Sequence, residues 1–235
     1  MRSDLVAAGA AAQNRPAGST CNTARVYPLV SEAQAYYAVA KQGLRVYSAP
    51  GGGPLATFGR LNVNEVPTVF GVVAAQVGRN CHPTWYRVKL PMRPNGATGY
   101  VRASFVTIGL VRTRIEVDLS DHELVAYRDD RPVLRTIVAV GSPATPTPIG
   151  RFYVNQRLLV RDPTGPWGFG GIGISAFSDV LTGWTQGGPI GIHGTDQPWS
   201  IGRSVSNGCV RVRNNAVLHR LWALASEGTP VTIHP

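Results

Sequence analysis

Short segments in which apolar and polar residues alternate recur along the first half of the chain, and clusters of turn-forming residues separate them. Four segments have the alternation or the β-branched composition of strands: residues 43–47, 68–73, 85–90 and 99–102. Because successive side chains of a strand point to opposite faces, a period of two predicts half-buried strands. The Pro- and Gly-rich segment 48–54 predicts a turn between two of them. We therefore predict a small β-barrel between about residues 27 and 108.

A second strand-rich pattern follows. Three apolar segments, separated by polar turn clusters, predict a three-stranded meander: residues 115–119, 123–127 and 135–140. One helix is predicted, because apolar residues recur at helical spacing over residues 217–224, after an Asn pair at 214–215 that suits a helix cap. Residues 229–233 predict a last strand that fixes the C-terminus in the sheet. The chain as a whole is expected to be all-β dominated.

The composition agrees with this class and excludes others. Gly and Pro number 27 and 18 of 235 residues, which favours a turn-rich β protein. Only 15% of the residues are charged and 43% are hydrophobic, so intrinsic disorder is excluded for most of the length. No apolar stretch approaches the roughly 18 residues that a membrane-spanning helix needs. We therefore expect no transmembrane segment in this chain.

The net charge of +10 suggests an anionic neighbour, and nucleic acid is the first class to test. The 21 Arg and 2 Lys residues are scattered singly, without a basic helix or a run of basic and aromatic residues. This distribution argues against nucleic acid as a partner. Two explanations of the charge stay open: attraction to an anionic cell envelope, or an Arg-rich proteome without a specific partner.

The N-terminal residues and the cysteines bear on the compartment. Residues 1–20 are rich in Ala and Gly and lack the apolar core of a signal peptide, so we expect residues 1–25 to be a flexible tail left after an export or anchor segment was removed. In an exported protein, three cysteines divide most simply into one disulfide and one working thiol. Cys21 and Cys81 are the expected pair because both lie in the first third of the chain, and such a bridge would contribute about 4 kcal/mol. Two unpaired buried cysteines remain the alternative.

The third cysteine lies in the most informative stretch of the sequence. His193 precedes Cys209 by 16 residues, and the loop between them is rich in Gly, Pro, Trp and Ser. A neighbouring imidazole and positive charge stabilise a thiolate, and Arg203 and Arg211 flank the cysteine. Gly208 permits a turn that would aim backbone N–H groups at an acyl oxygen. A buried thiol beside a core histidine is the alternative. The five histidines have no zinc-site spacing with the cysteines, so no metal is expected.

Two resemblances to known families follow from these motifs. The Leu-Arg-Val segment 44–46, the Trp-Tyr-Arg-Val segment 85–88 and the Gly-Tyr-Val segment 99–101 resemble a bacterial SH3-like domain, placed at residues 26–110. Its role, functional binding or a spacer or docking function, stays open. The His193-Gly194-Thr195 and Ser206-Asn207-Gly208-Cys209-Val210-Arg211 motifs, preceded by the Thr-Pro-Thr-Pro-Ile-Gly-Arg-Phe segment 145–152, resemble the YkuD-type L,D-transpeptidase family over residues 111–235.

The second resemblance implies a mostly β catalytic domain with one or two helices, a cysteine acyl-enzyme, no cofactor and peptidoglycan stem peptides as substrate. It implies Cys209 as the nucleophile, which a carbapenem would acylate, and His193 as the base. The Gly194 carbonyl or Thr195 would orient the imidazole. The expected substrate contacts are Ser206, Asn207, Gly208 and Arg211, with Trp167 and Phe169 as a lid. Ser206 is alternatively a turn residue, Arg211 a structural ion-pair partner, and the aromatic pair ordinary core. Asn207 departs from the family, since many members have a second histidine there.

The expected function is an exported transpeptidase of the cell envelope that joins stem peptides through their third residues and releases terminal D-alanine. Two alternatives stay open. An L,D-carboxypeptidase would use water as the acceptor on the same acyl-enzyme. A non-catalytic wall-binding protein would only adhere through its β domains, and it would be expected to have a broken His/Cys pair, whereas the pair is intact here.

Overall fold

The computed structural model describes residues 22–23, 25–29, 31, 33–213 and 216–235. In the first half of the chain it contains eight strands: β1 (Val26–Pro28), β2 (Ala35–Ala40), β3 (Leu44–Tyr47), β4 (Pro54–Phe58), β5 (Val69–Val77), β6 (Pro83–Lys89), β7 (Thr98–Arg102) and β8 (Val106–Val111). They form one sheet in the order β4-β3-β7-β6-β5-β2-β8, with β1 also paired to β5, and all of these pairs are antiparallel. Alternate residues of the strands bury a core around Val46, Phe70 and Val88.

The second half contains the remaining described strands and the α-helix: β9 (Thr113–Asp118), β10 (Glu123–Arg128), β11 (Arg131–Ile137), β12 (Val140–Gly141), β13 (Gly150–Leu159), β14 (Gly170–Phe177), β15 (Pro189–His193), β16 (Ser204–Ser206), β17 (Val210–Arg211), α1 (Ala216–Leu224) and β18 (Pro230–His234). Eight of these strands form a sheet in the order β11-β10-β9-β18-β13-β14-β15-β17, and β12 pairs with β16. The predicted meander is β9 to β11. The predicted fold class, mostly β with one or two helices, is confirmed, with α1 as the α-helix of the described residues.

The helix and the last strand hold this second sheet together. Leu218 and Leu221 of α1 are fully buried in the same core as Ile172 and Ile192 of the sheet. Strand β18 runs parallel to β9 and antiparallel to β13, so the C-terminus lies within the sheet, as the sequence pattern predicted. The Asn pair 214–215, predicted to cap the helix, lies outside the described residues.

The change from the first sheet to the second falls at Arg112. Val111 still pairs with Ala35 in the first sheet, and β9 begins at Thr113. The domain division predicted at 110/111 stays a prediction. The predicted tail falls mostly within residues 1–21, which lie outside the described residues. Among the described residues, no helix is both long and apolar enough to cross a membrane.

A buried tyrosine connects the two sheets. Tyr153 of β13 is fully buried, and its ring packs so closely on Gly71 of β5 that a Cβ atom there would lie 2.9 Å from it. Its hydroxyl donates a hydrogen bond to the Val69 carbonyl at 3.0 Å. Burial raises the pKa of this phenol, so it remains a donor at all physiological pH values. The first half of the chain is thus in direct contact with the sheet that carries the site described below.

We expect Tyr153→Phe to lower the free energy of unfolding by about 1 to 2 kcal/mol, because the Val69 carbonyl would lose a buried donor. Denaturant unfolding followed by tryptophan fluorescence measures this change. Tyr100→Phe is the matched control, since the Tyr100 hydroxyl has no hydrogen-bond partner among the described residues, and it should change the stability by no more than a few tenths of a kcal/mol. Equal effects of the two variants would contradict the assigned role of the Tyr153 hydroxyl.

Candidate active site

The parallel pairing of β15 with β17 brings the two predicted motifs together. Ile192 lies opposite Val210, and His193 lies opposite Arg211. Because side chains alternate along a strand, Ile192 and Val210 point into the core, while His193 and Arg211 share the other face. Cys209 directly precedes β17 and is part-buried, with a free thiol. The sequence separation of 16 residues is therefore closed by strand pairing.

The imidazole of His193 is held in one orientation. Its Nδ1 lies 2.6 Å from the Gly194 carbonyl oxygen, and a carbonyl can only accept, so Nδ1 carries the proton of the neutral ring. Nε2 is then left with a lone pair that can take a proton. Of the two residues expected to orient the ring, Gly194 makes the contact, whereas the Thr195 hydroxyl accepts a hydrogen bond from the Gln197 N–H at 3.0 Å.

Trp167 covers the imidazole. The two rings stack with centroids 4.5 Å apart and planes 20° from parallel, and the tryptophan remains 45% exposed. The Trp167 carbonyl also accepts a hydrogen bond from the Gly194 N–H at 2.9 Å. Trp167 therefore lies where a lid over the base would lie, with one face on His193 and the other reaching solvent.

Phe169 occupies a different environment from the one a lid residue needs. Its ring stacks on His219 of α1 with centroids 4.1 Å apart, and it also contacts Trp222. The side chain is partly buried against the core of the second sheet. This placement corresponds to the core-packing alternative, because the helix offers two flat rings for the phenyl group to pack on.

The electrostatics of the pair favour neutral groups. Burial lowers the pKa of His193 to about 4, and Arg211 acts in the same direction, while the carbonyls of Gly194 and Pro166 oppose the shift. Burial also raises the pKa of the Cys209 thiol, against the smaller effects of the Gly191 N–H and Arg211. Both main effects disfavour a resting thiolate–imidazolium pair. The resting site therefore holds a neutral thiol and a neutral imidazole on two paired strands, which suits general-base catalysis.

This arrangement predicts the pH dependence of acylation. A base with a pKa of about 4 is already deprotonated above pH 5, so the rate of carbapenem acylation should stay level from about pH 5 to 8 and fall only as the pH approaches 4. Stopped-flow rates after brief pH jumps measure the profile, and deuterated solvent should slow the reaction. An unfolded histidine titrates near 6.5, so the stability that the neutral buried ring contributes is present above that pH and is lost as the pH falls towards 4.

Circular dichroism at each pH must therefore show that the protein is still folded. An acylation profile that rises with a midpoint between 6.5 and 8.5 would contradict the neutral pair.

Ser206 shapes the cysteine loop, residues 206–209. The Ser206 hydroxyl donates to the Cys209 carbonyl at 2.6 Å and accepts from the Gly208 N–H at 3.1 Å. Gly208 adopts a φ of 111°, and a Cβ atom there would lie 2.9 Å from the Ile190 side chain, so glycine is required. The N–H of Gly208 is thus directed at Ser206 and away from an acyl oxygen. Ser206 itself is buried, which matches the turn role, and Asn207 is exposed.

Two threonines of the 145–152 segment hold this loop. The Thr147 hydroxyl donates to the Gly208 carbonyl and accepts from the Gly141 N–H, both at 2.8 Å. The Thr145 hydroxyl donates to the Ser206 carbonyl at 3.0 Å. The sequence signal was the Thr-Pro-Thr-Pro alternation of residues 145–148. Proline has no N–H to donate, so the threonine hydroxyls are the donors to the loop carbonyls.

We expect Thr147→Val to lower the acylation rate about tenfold and the free energy of unfolding by about 1 to 3 kcal/mol. The substitution keeps the shape but leaves two buried backbone groups without a partner. Acylation kinetics and denaturant unfolding measure both effects. Thr107→Val, at an exposed position of β8, serves as the control. A Thr147→Val protein with wild-type acylation would show that this contact does not position Cys209.

The remaining predicted residues are placed as follows. Arg211 donates a hydrogen bond from Nη1 to the Gln197 Oε1 atom at 2.9 Å, and it is close enough to lower the pKa of both His193 and Cys209. Cys81 is disulfide-bonded, while its predicted partner Cys21 lies outside the described residues, so the pairing stays a prediction. Within the described ranges, no group of three or more His, Cys, Asp or Glu residues could hold a metal ion.

Comparisons with known proteins show the family of the second half of the chain. The family model of the YkuD L,D-transpeptidase catalytic domain matches residues 112–233, just over half of the chain. The putative L,D-transpeptidase YkuD of Bacillus licheniformis is 38% identical over 122 residues, which are 52% of this chain and 66% of that protein. Its Bacillus subtilis counterpart is 35% identical over 120 residues, 51% of this chain and 65% of that one. The match thus spans slightly less than two thirds of these relatives.

Solved structures were compared as well. A crystal structure of an Enterococcus faecium L,D-transpeptidase is 29% identical, covers 52% of this chain and 49% of that one, and has a TM-score of 0.41. L,D-transpeptidase 3 from Mycobacterium tuberculosis is 14% identical, with coverages of 72% and 92% and a TM-score of 0.44. The family is established by the sequence match: through residues 112–233, this chain belongs to the YkuD family of L,D-transpeptidase catalytic domains.

Proposed function

We propose that this protein is a peptidoglycan L,D-transpeptidase that works through an acyl-enzyme on Cys209. The observation that carries the proposal is the pairing of β15 with β17, which brings the free Cys209 thiol to the strand next to His193, whose Nδ1 is fixed by the Gly194 carbonyl. Because Nδ1 carries the proton, Nε2 is left to act as the base. The Gly194 carbonyl thus orients the imidazole, as a carboxylate or amide does in other cysteine and serine enzymes.

In the first half of the reaction, His193 Nε2 takes the thiol proton while Sγ attacks the carbonyl between the third residue and the terminal D-alanine of a donor stem peptide. The resulting imidazolium is stabilised by the carbonyls of Gly194 and Pro166 and by the stacked Trp167 ring. It then gives the proton to the leaving amine as the C–N bond breaks. D-alanine departs, and a thioester joins the remaining tripeptide to Cys209.

In the second half, the amine of an acceptor stem peptide attacks the thioester, and His193 again takes and returns a proton. The amide bond that forms joins the third residues of two stem peptides and releases the thiol. Arg211 faces the same site and is the cation available for a substrate carboxylate. Its contact with Gln197 ties it to the loop after His193, which orients the guanidinium.

Product analysis with a purified disaccharide tetrapeptide tests this proposal. A cross-linked dimer with release of D-alanine is expected. Formation of tripeptide alone would mean that water is the acceptor and that the protein is an L,D-carboxypeptidase. No turnover of any kind, together with an unmodified Cys209, would favour a protein that only binds the wall.

We further propose that residues 26–110 form an SH3-like module that holds the enzyme on the wall and that the protein acts in the cell envelope after export. The alternating strands of this half and the disulfide at Cys81 support the proposal, since disulfides persist mainly in oxidising compartments. The positive charge of the chain is consistent with an anionic envelope. Co-sedimentation of the full-length protein with purified cell walls would test it, and failure to sediment at physiological ionic strength would contradict it.

A further inference from the structure

The excess positive charge of the chain is concentrated in its first half. Residues 26–110 contain eight Lys and Arg residues against two Asp and Glu residues, whereas residues 111–235 contain twelve against ten. The ion pairs between described residues all use residues at or after Arg112. The basic side chains of the first sheet therefore have no acidic partner within the described ranges, and their charge is open to an external anion.

Several of these cations share the outward face of β3, β7 and β6. Tyr86 of β6 and Val101 of β7 are paired and both pack in the core, so the residues on either side of them point outwards. The paired residues Tyr47 and Tyr100 lie on the same outward face, since Val46 is in the core. The cations on this face, called the basic face below, are Arg45, Arg87, Lys89 and Arg102.

The cations of the basic face are regularly spaced. Arg102 lies opposite Trp85, and Arg87 and Lys89 follow Trp85 at every second position of β6. Residues on the same face of a strand are about 7 Å apart. Three cations therefore stand at three successive levels of the sheet with this spacing. An extended glycerol phosphate chain repeats its phosphates over a similar length, so the basic face can meet successive phosphates of one chain.

Neighbouring side chains hold two of the arginines in place. The Arg102 guanidinium lies over the Trp85 ring, 4.7 Å from its centroid. The Tyr47 ring packs at right angles to the same indole, with centroids 5.4 Å apart. Arg87 donates a hydrogen bond from Nη2 to Thr98 Oγ1 at 3.3 Å. Because a guanidinium is a planar fork that matches the paired oxygens of a phosphate, holding it in place lowers the entropy that binding costs.

The same packing argues against a nucleic acid as the anion. Proteins that bind single strands offer open aromatic faces on which bases stack. Trp85 is only 9% exposed beneath its neighbours, so it has no open face to offer. A polyol chain needs hydroxyl partners instead. The Tyr100 hydroxyl belongs to a partly exposed residue opposite Arg87 and has no partner among the described residues, so it can serve a polyol hydroxyl.

The line of cations continues onto the second sheet. Lys89 Nζ donates a hydrogen bond to the Arg151 carbonyl of β13 at 2.9 Å. Burial lowers the pKa of Lys89, and the Arg151 guanidinium acts in the same direction, so the two cations repel each other. Neither forms an ion pair with a described residue. An anion bound to both would relieve this repulsion.

We propose that the basic face binds a polyol phosphate chain, an envelope polymer whose phosphodiesters carry its charge. The chain runs along β6, with successive phosphates on Arg102, on Arg87 and on the neighbouring cations Lys89 and Arg151. The inference deepens the proposed wall-holding function of residues 26–110 by naming its partner, and it rests on that function for the compartment. It is independent of the chemistry at Cys209.

Titration of the full-length protein with a synthetic glycerol phosphate oligomer tests the proposal. Calorimetry at several salt concentrations should show saturable binding that weakens as salt is added. The logarithm of Kd should rise with the logarithm of the salt concentration with a slope of about two to three, because each neutralised phosphate contributes slightly less than one. Circular dichroism should show that every variant used below is folded.

Arg87→Gln and Arg102→Gln should each weaken binding about tenfold at low salt and lower the slope by about one. Arg102→Lys keeps the charge but loses the planar guanidinium over Trp85, so it should weaken binding with the slope unchanged. Arg128→Gln is the matched control. Arg128 is exposed on β10 and forms no ion pair with a described residue, so its loss removes the same charge elsewhere and should leave the affinity unchanged.

Absence of saturable binding at low salt would overturn the proposal. Equal losses for Arg87→Gln and Arg128→Gln would also overturn it, because they would show attraction by net charge alone. Two competing partners are tested beside the oligomer: single-stranded oligodeoxythymidine of equal charge, and phosphatidylglycerol vesicles. Tighter binding of either would identify a nucleic acid or a lipid surface as the partner and overturn the proposal as well.

Sedimentation with cell walls separates this inference from the proposed function. The full-length protein should sediment with complete walls and much less with walls from which the phosphate polymers have been extracted. Equal sedimentation with both preparations would overturn the inference and leave the wall-holding function intact. Carbapenem acylation of Cys209 in the wild-type protein tests the catalytic proposal separately.

Discussion

Replacing Cys209 with alanine should abolish the covalent adduct that a carbapenem forms with the protein. Intact mass spectrometry should find one adduct per wild-type chain and none on the variant. The physical reason is that the strained β-lactam carbonyl needs a nucleophile, and the Cys209 thiol is the free cysteine thiol of the described residues. Turnover of a disaccharide tetrapeptide should disappear with the adduct, because the acyl-enzyme is the intermediate of the proposed reaction.

The controls for this experiment use the other cysteines. In the unfolded, unreduced wild-type protein, thiol titration should find one free thiol, and in Cys209→Ala it should find none, if Cys21 and Cys81 are bridged. Ser204→Ala, at an exposed position of β16 close to the same loop, should be acylated like the wild type. An adduct that persists in Cys209→Ala would contradict the assignment of the nucleophile.

The second large effect is expected for His193→Ala. Loss of a positioned base costs about 10²- to 10⁴-fold in rate, so acylation near pH 7 should fall by that factor. The effect should be strong here because burial raises the pKa of the Cys209 thiol, which leaves little thiolate to react without a base. The difference from the wild type should shrink only at alkaline pH, as the thiol ionises unaided.

His122→Ala is the matched control, since this histidine lies in a hairpin turn and its Nε2 atom contacts the Ser204 hydroxyl at an exposed position. Its acylation rate should equal that of the wild type. The decisive comparison is the rate of His193→Ala against pH, measured on protein shown to be folded. Acylation of this variant at the wild-type rate near pH 7 would remove His193 from the mechanism.

The sequence was most informative where the signal is local. Period-two alternation predicted the strands later found at Thr113–Asp118 and Glu123–Arg128, and helical spacing predicted Ala216–Leu224, because side-chain direction repeats within each element. The family motifs predicted Cys209 and His193 as the nucleophile and the base, and this assignment stays a prediction. The contact of His193 Nδ1 with the carbonyl of the next residue, Gly194, depends on no long-range information.

The rest depends on contacts between residues far apart in the chain. The flanking arginines suggested a Cys209 thiolate paired with a protonated His193. Burial disfavours both charges, and burial is set by the packing of the whole sheet. Thr147 holds the loop of Cys209 through a hydrogen bond to the Gly208 carbonyl, 61 residues later in the chain. Phe169 could be read as lid or core until its stacking partner on the helix was known.

The position of β18 also determines when the second sheet can form during synthesis. Its residues Val231 and Ile233 pair with Ile115 and Val117, more than a hundred positions earlier, and with the strand that begins at Gly150 on the other side. Until β18 has left the ribosome, β9 and β13 have no strand between them, and the core around them is open to water. Pairings this distant in sequence also form slowly. The sheet that carries His193 therefore closes only after β18 has been synthesised and has entered between its two neighbours.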